Sequence, residues 1–142
     1  MEKVAYPESL IYRDGKITVY YEDSIQVNKT KRAIIIEGNQ NGFLSLANLI
    51  NVYTSYLYTE IVLTDFSFVK SKFKFEIAED SSIESTDGHI IMGNSQYVKW
   101  KISEINLCVL ICSLHSLGYA NSELHLDTDS RPDEISVYCV VK

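Results

Sequence analysis

Two periodicities divide this chain. Side chains alternate faces along a strand, with a period of about 2, and return to one face of a helix every three or four residues. From Phe43 to about Leu57 the residues Phe43, Leu46, Ala47, Ile50, Tyr53 and Leu57 follow the helical spacing, which predicts a helix with one buried face. Asn48, Asn51 and Ser55 fall on its solvent side, and Asn41 or Asn39 can cap its start by accepting a hydrogen bond from a first-turn amide. A second helix is predicted from Ser103 to Leu117, ending at Gly118 in the place of a left-handed C-terminal cap. Its apolar residues, Ile105, Leu107, Val109, Leu110, Ile111, Leu114 and Leu117, cover a wider arc than one buried stripe requires, so this helix is either central or part of an interface.

The remaining pattern reads as strands. Asp14-Gly15 suits a two-residue hairpin turn between Ser9–Arg13 and Lys16–Tyr21, because both residues tolerate positive φ. A short strand is expected at Ile25–Val27, and Arg32–Glu37 is a β-branched run broken by Gly38-Asn-Gln-Asn-Gly42. Thr59–Asp65 and Lys72–Ala78 follow, the latter with Lys72, Lys74 and Glu76 outward and Phe73, Phe75 and Ile77 inward. His89–Met92 and Gln96–Trp100 flank a Gly93-Asn94 turn, and Glu123–Asp127 and Ile135–Val141 flank the acidic turn Thr128–Glu134. The order strand, strand, helix, strand, strand thus occurs twice, which predicts one domain over 1–142 built from pseudo-repeats at about 9–78 and 88–142. The expected fold class is α+β: one mixed, mainly antiparallel sheet with two helices on one face. The strands before and after each helix are expected as parallel neighbours through a right-handed crossover.

Composition narrows the function classes. At 142 residues, with 46% hydrophobic and 23% charged, the chain can bury a substantial core. The N-terminus lacks a basic start followed by an apolar block, and the longest apolar run, Leu107–Cys112, is far shorter than the roughly eighteen residues of a membrane span. A soluble cytoplasmic protein is expected, with no membrane partner. Nineteen acidic against thirteen basic residues, a formal charge of −6, argue against nucleic acid and favour a basic protein partner. Cys108 and Cys112, inside the apolar helix, read as reduced core residues.

No catalytic motif emerges, and the expectation is a non-enzyme without cofactor or metal. Gly38–Gly42 lacks the third glycine of a dinucleotide fingerprint and the Lys-Ser/Thr ending of a triphosphate loop, although a helix start after two glycines could hold an anion. Cys108, Cys112 and His115 share a helix face and could bind zinc with Cys139, but such spacing within an apolar helix is unlike structural zinc knuckles. His125 and Asp127, two residues apart on a strand, could couple as a base and its orienting carboxylate. With the Gly38-Asn39 loop they form the alternative of a ligand-binding domain or small enzyme. The candidate partner-binding residues are instead acidic: Glu79, Asp80, Glu84 and Asp87 in one stretch, and Asp127, Asp129, Asp133 and Glu134 in another. Ten tyrosines add side chains suited to interface centres. A further alternative is an oligomerisation module, a homodimer through the second helix.

Ile34-Ile-Ile-Glu-Gly-Asn39, Gly42-Phe-Leu-Ser-Leu-Ala-Asn-Leu-Ile50 and His125-Leu-Asp127 resemble the thirty-second family of bacterial immunity proteins that guard against polymorphic toxins. The resemblance covers about half the chain. It implies a small intracellular protein that binds a cognate toxin domain and neutralises it by occluding its active site or substrate groove.

Overall fold

The computed structural model describes residues 10–26, 29–55, 60–80, 89–94, 96–119, 123–126 and 135–142. Its elements are β1 (Ile17–Gln26), β2 (Lys29–Gly38), α1 (Gln40–Ser55), β3 (Glu60–Val62), β4 (Val69–Ser71), β5 (Lys74–Glu79), β6 (His89–Asn94), β7 (Tyr97–Ile102), α2 (Glu104–Leu117), β8 (Glu123–Leu126) and β9 (Ser136–Val141). The fold is α+β with mixed sheets, and among the described residues four of the seven strand pairings are antiparallel.

Of the two candidate caps for α1, Asn39 is the one used. Its Oδ1 accepts from the N–H of Gly42 at 2.8 Å and of Lys16 at 3.0 Å, and its Nδ2 donates to the Asp14 carbonyl at 2.7 Å. Asn41 lies inside the first turn and donates to the Arg13 carbonyl at 2.9 Å. Gly42 to Ala47 are buried without a break, so this stretch of α1 is enclosed on all sides; of the three residues predicted to face solvent, Asn51 and Ser55 are exposed and Asn48 is half-buried. That enclosure needs Gly42, since a Cβ there would collide with the Lys16 backbone crossing over the helix.

The hairpin predicted across Asp14-Gly15 does not form. Asp14 does adopt a positive φ of 60° and the Gly15 N–H reaches the Tyr12 carbonyl at 3.2 Å, which makes a turn. The residues before it are drawn to the helix instead, with the Tyr12 N–H donating to Ser45 Oγ at 2.7 Å. The actual hairpin is β1–β2, with Gln26 opposite Lys29. The strand expected at Ile25–Val27 is the far end of β1, and Val27 lies outside the described residues. The second hairpin, β6–β7, closes two residues later than predicted. Asn94 pairs with Tyr97, and Gly93 falls at an irregularity between Met92 and Asn94 where a bulge absorbs one residue.

Among the described residues the strands form two sheets, not one. The first has the order β4-β1-β2-β9-β8 and the second β3-β5-β7-β6. The strands flanking each helix, β2 and β3 or β7 and β8, belong to different sheets, so the expected crossover pairs are absent. Parallel pairing instead joins β2 to β9 and β5 to β7, each between the two halves of the chain, with β1 and β4 as a third parallel pair. Hairpin β1–β2 is extended by β9 and β8 from the second half; hairpin β6–β7 is extended by β5 and β3 from the first. The strand-strand-helix-strand-strand order therefore recurs in space with its last two strands exchanged, β4 being an addition to the first half.

One cluster of buried side chains takes Ile17 and Ile34 from the first sheet, Phe75 and Trp100 from the second, Phe43 and Leu46 from α1, and Leu110 and Leu114 from α2. The helices pack on each other, and Gly118 lets the end of α2 close on α1, because a Cβ there would collide with Leu44. Gly118 has φ −67°, so it is required for this approach and not, as predicted, for a left-handed cap. Among the described residues, no helix is long and apolar enough to cross a membrane.

Candidate functional site

Of the eight carboxylates singled out as partner-binding, Glu79 and Asp80 are described; Glu84, Asp87, Asp127, Asp129, Asp133 and Glu134 lie outside the described residues. Glu79 ends β5. The N–H of Asp80 donates to the Ile102 carbonyl at 2.8 Å, and its carboxylate pairs with Lys101 at 3.7 Å. Ile102 leads directly into Ser103, whose side chain caps α2, and so into the exposed Glu104. Glu60, in register with Ala78, stands at the same end and pairs with Lys99 at 3.7 Å. Segments far apart in sequence thus bring Glu60, Glu79, Asp80 and Glu104 to one end of the second sheet, offset in part by Lys99 and Lys101. His89 occupies the same row as Ala78 and Lys101, so both ends of the stretch carrying Glu84 and Asp87 are anchored there.

Glu76, predicted to point to water, is only 5% exposed. Parallel pairing sets it opposite Lys99, and the Tyr97 hydroxyl donates to its Oε2. A carboxylate withdrawn from water requires such partners. Burial, then the Glu76 hydrogen bond and charge, hold the Tyr97 hydroxyl above its ordinary pKa. Burial acts to lower Lys99, but the charges of Glu76, Tyr97 and Glu60 outweigh it and the ammonium is favoured. The Lys74 ammonium lies 5.9 Å from the centre of the Tyr97 ring. These groups lock the outer face of the second sheet, and their proximity depends on β5 meeting β7, which no local sequence signal announces.

Among the described residues, the other candidate chemistry is not brought together. Asn39 and Gly38 serve the fold: the asparagine amide is occupied on both atoms, and the Lys16 carbonyl lies where a Gly38 side chain would be. His125 pairs with Tyr138, which pairs with Ile35, so two strands and three residues separate it from Gly38, about 14 Å of backbone distance. Asp127 lies outside the described residues. Cys139 is fully buried, which pushes its thiol up to about 12. Cys108 and Cys112 are not core residues; both are exposed on α2. Among the described residues, no three of His, Cys, Asp and Glu are grouped to hold a metal ion.

The exposure of these cysteines reflects how α2 is seated. Leu107, Leu110, Leu114 and Leu117 form its buried stripe. The opposite stripe carries Ile105 at 77% exposure, Val109 at 53% and, just past the helix end, Tyr119 at 70%, with Cys108, Cys112 and His115 between them. The His115 and Tyr119 rings meet at 5.4 Å. On one flank a shallow, open depression of about 320 Å³ is lined by Cys108, Val109, Cys112, Ser113 and Ser116. On the other a groove of about 330 Å³ runs between α1 and α2, walled by Ala47, Asn48 and Asn51 against Ile111, Cys112 and His115. A ridge between a depression and a groove is the relief onto which a second helix or a side-chain row packs. The sequence signal for this surface was the surplus of apolar residues on α2; what it lacked was the choice of which stripe faces inward.

No known family model, curated protein or solved structure matches this chain.

Proposed function

We propose that this chain is a cytoplasmic immunity protein that binds a cognate bacterial toxin domain and neutralises it by covering its active site or substrate groove. The observation that carries this reading is the outer stripe of α2, where Ile105, Val109 and Tyr119 are exposed and which leads at its N-terminal end onto Glu104, Asp80, Glu79 and Glu60. Contiguous exposed apolar side chains mark protein contacts, and an apolar centre with a charged rim is how such contacts are built. The carboxylate rim and the net charge of −6 favour a basic partner and speed its approach. The resemblance to the immunity family rests largely on residues 34–50, which take in the second half of β2 and α1 as far as Ile50. It supports a shared scaffold, to which α2 adds the contact surface.

The test is co-expression with a toxin-domain protein encoded beside this one, scored for a stable complex and for rescue of growth. The reading predicts both for the wild type and neither for a variant carrying Ile105→Asp with Val109→Asp. Absence of complex and of rescue with the wild type would remove the immunity role for that partner.

A further inference from the structure

We infer that, when the toxin is absent, the outer stripe of α2 is closed by a second copy of this chain, packed antiparallel about a two-fold axis, so that self-association competes with partner binding. The competition rests on the immunity reading above; the dimer itself does not.

Ile105, Cys108, Cys112, His115 and Tyr119 recur at alternating spacings of three and four, the pattern of a helix-pairing stripe, and all are exposed. The stripe is complementary to its own reversed copy. Its only carboxylate among the described residues, Glu104, stands at one end, and its only imidazole, His115, at the other. In an antiparallel pair Glu104 of each copy lies level with the His115–Ser116 turn of the other, where an imidazole N–H, a donor in every protonation state, meets a carboxylate, twice. A parallel pair would set the two Glu104 carboxylates side by side. The two helix dipoles also oppose each other in the antiparallel arrangement. At the middle, Cys108 of one copy falls level with Cys112 of the other, two small side chains that allow close approach, and Val109 of each enters the depression beside Cys112 and Ser116.

The area sets the strength. The exposed side chains of the stripe offer on the order of 500 Å² per copy, so about 1,000 Å² in all, the lower limit for a specific interface. A dimer of that size dissociates on dilution, which is what exchange for a larger toxin contact requires.

The experiment uses the whole chain alone. Light scattering across a concentration series is expected to show the mass rise from 16.2 kDa toward twice that value, and Val109→Asp is expected to weaken the dimer on the order of 100-fold by burying two carboxylates. Val109 is half exposed, so this variant keeps the fold. Mild oxidation to a disulfide, which needs Cα atoms within about 7 Å, is then applied to Cys108→Ser, to Cys112→Ser, and to their mixture; in the antiparallel pair like positions are offset by about 6 Å along the axis and stay out of reach. Cross-linked dimer in the mixture, with little in either variant alone, is the predicted result. A mass of 16.2 kDa at millimolar concentration overturns the proposal, and so does cross-linking of each variant with itself, which marks a parallel pair. Since no toxin is present, a monomer here leaves the immunity reading standing, and failure of toxin binding leaves the dimer standing.

Discussion

Cys139 sits in the core, where burial pushes its thiol to about 12, so it is protonated at neutral pH and closed to alkylating reagents. Cys108 and Cys112 face water on α2. Alkylation of the native monomer is therefore expected to modify two thiols and alkylation in denaturant three, a difference read directly by intact mass. Glu76 gives a second test at this scale. Tyr97→Phe leaves a buried carboxylate oxygen without its hydroxyl and is expected to cost about 1–3 kcal/mol in urea unfolding, while adding Glu76→Leu recovers much of the loss. Tyr97 and Lys99 are both raised above their ordinary values of 10.0 and 10.5. Each therefore contributes stability that is complete below its unfolded pKa and is lost as the pH climbs through the folded one. The wild type should lose stability above about pH 10 more steeply than Tyr97→Phe, measured as the shift of the urea midpoint. Neither site was legible in the sequence. Cysteine in an apolar helix is usually core, and alternation along Lys72–Ile77 put Glu76 on the face opposite Phe75 and Ile77 but gave no sign of the tyrosine and lysine that cover it there and withdraw it from water.

The elements with a local cause were the legible ones. Both helices, their caps at Asn39 and Ser103, and the strands β2, β5, β8 and β9 follow from periodicity and capping chemistry. β4, only three residues long, carries too little pattern to be seen, and Phe66 and Phe68 beside it are core residues in a turn. The Asp14-Gly15 turn was read correctly, but its partner is a helix and not a strand, because Asn39, Asn41 and Ser45 bind the backbone at Tyr12, Arg13, Asp14 and Lys16. Asn39→Ala is expected to cost about 2 kcal/mol or more, since it removes a cap and also releases that crossing segment. Gly42→Ala should cost at least as much by forcing the Lys16 backbone away. Both losses are checked by urea unfolding, and neither substitution touches the outer stripe of α2, so binding measured well below the unfolding midpoint should be unchanged.

At the scale of the molecule, hydrophobic pattern assigns faces, while sheet membership depends on contacts between distant segments. The repeated order of elements was visible, but their exchange between two sheets was not, because β2 has to meet β9 about 100 residues further along the chain. That exchange makes the halves interdependent: each hairpin is completed by strands from the other half. Fragments separated between Asp80 and His89 are expected to assemble when co-expressed and to remain unfolded or aggregated when expressed singly, as judged by circular dichroism and co-purification. The seating of α2 belongs to the same scale. With its leucine stripe committed to the core, Ile105 and Val109 are left outside next to a carboxylate rim. The most direct test of that surface as the docking face is calorimetric titration of the cognate toxin domain with the wild type and with Ile105→Asp/Val109→Asp, each first shown to unfold at the same urea midpoint. A loss of affinity of about 100-fold or more in the variant is the predicted result; an affinity unchanged within about twofold would place the contact elsewhere and contradict the account.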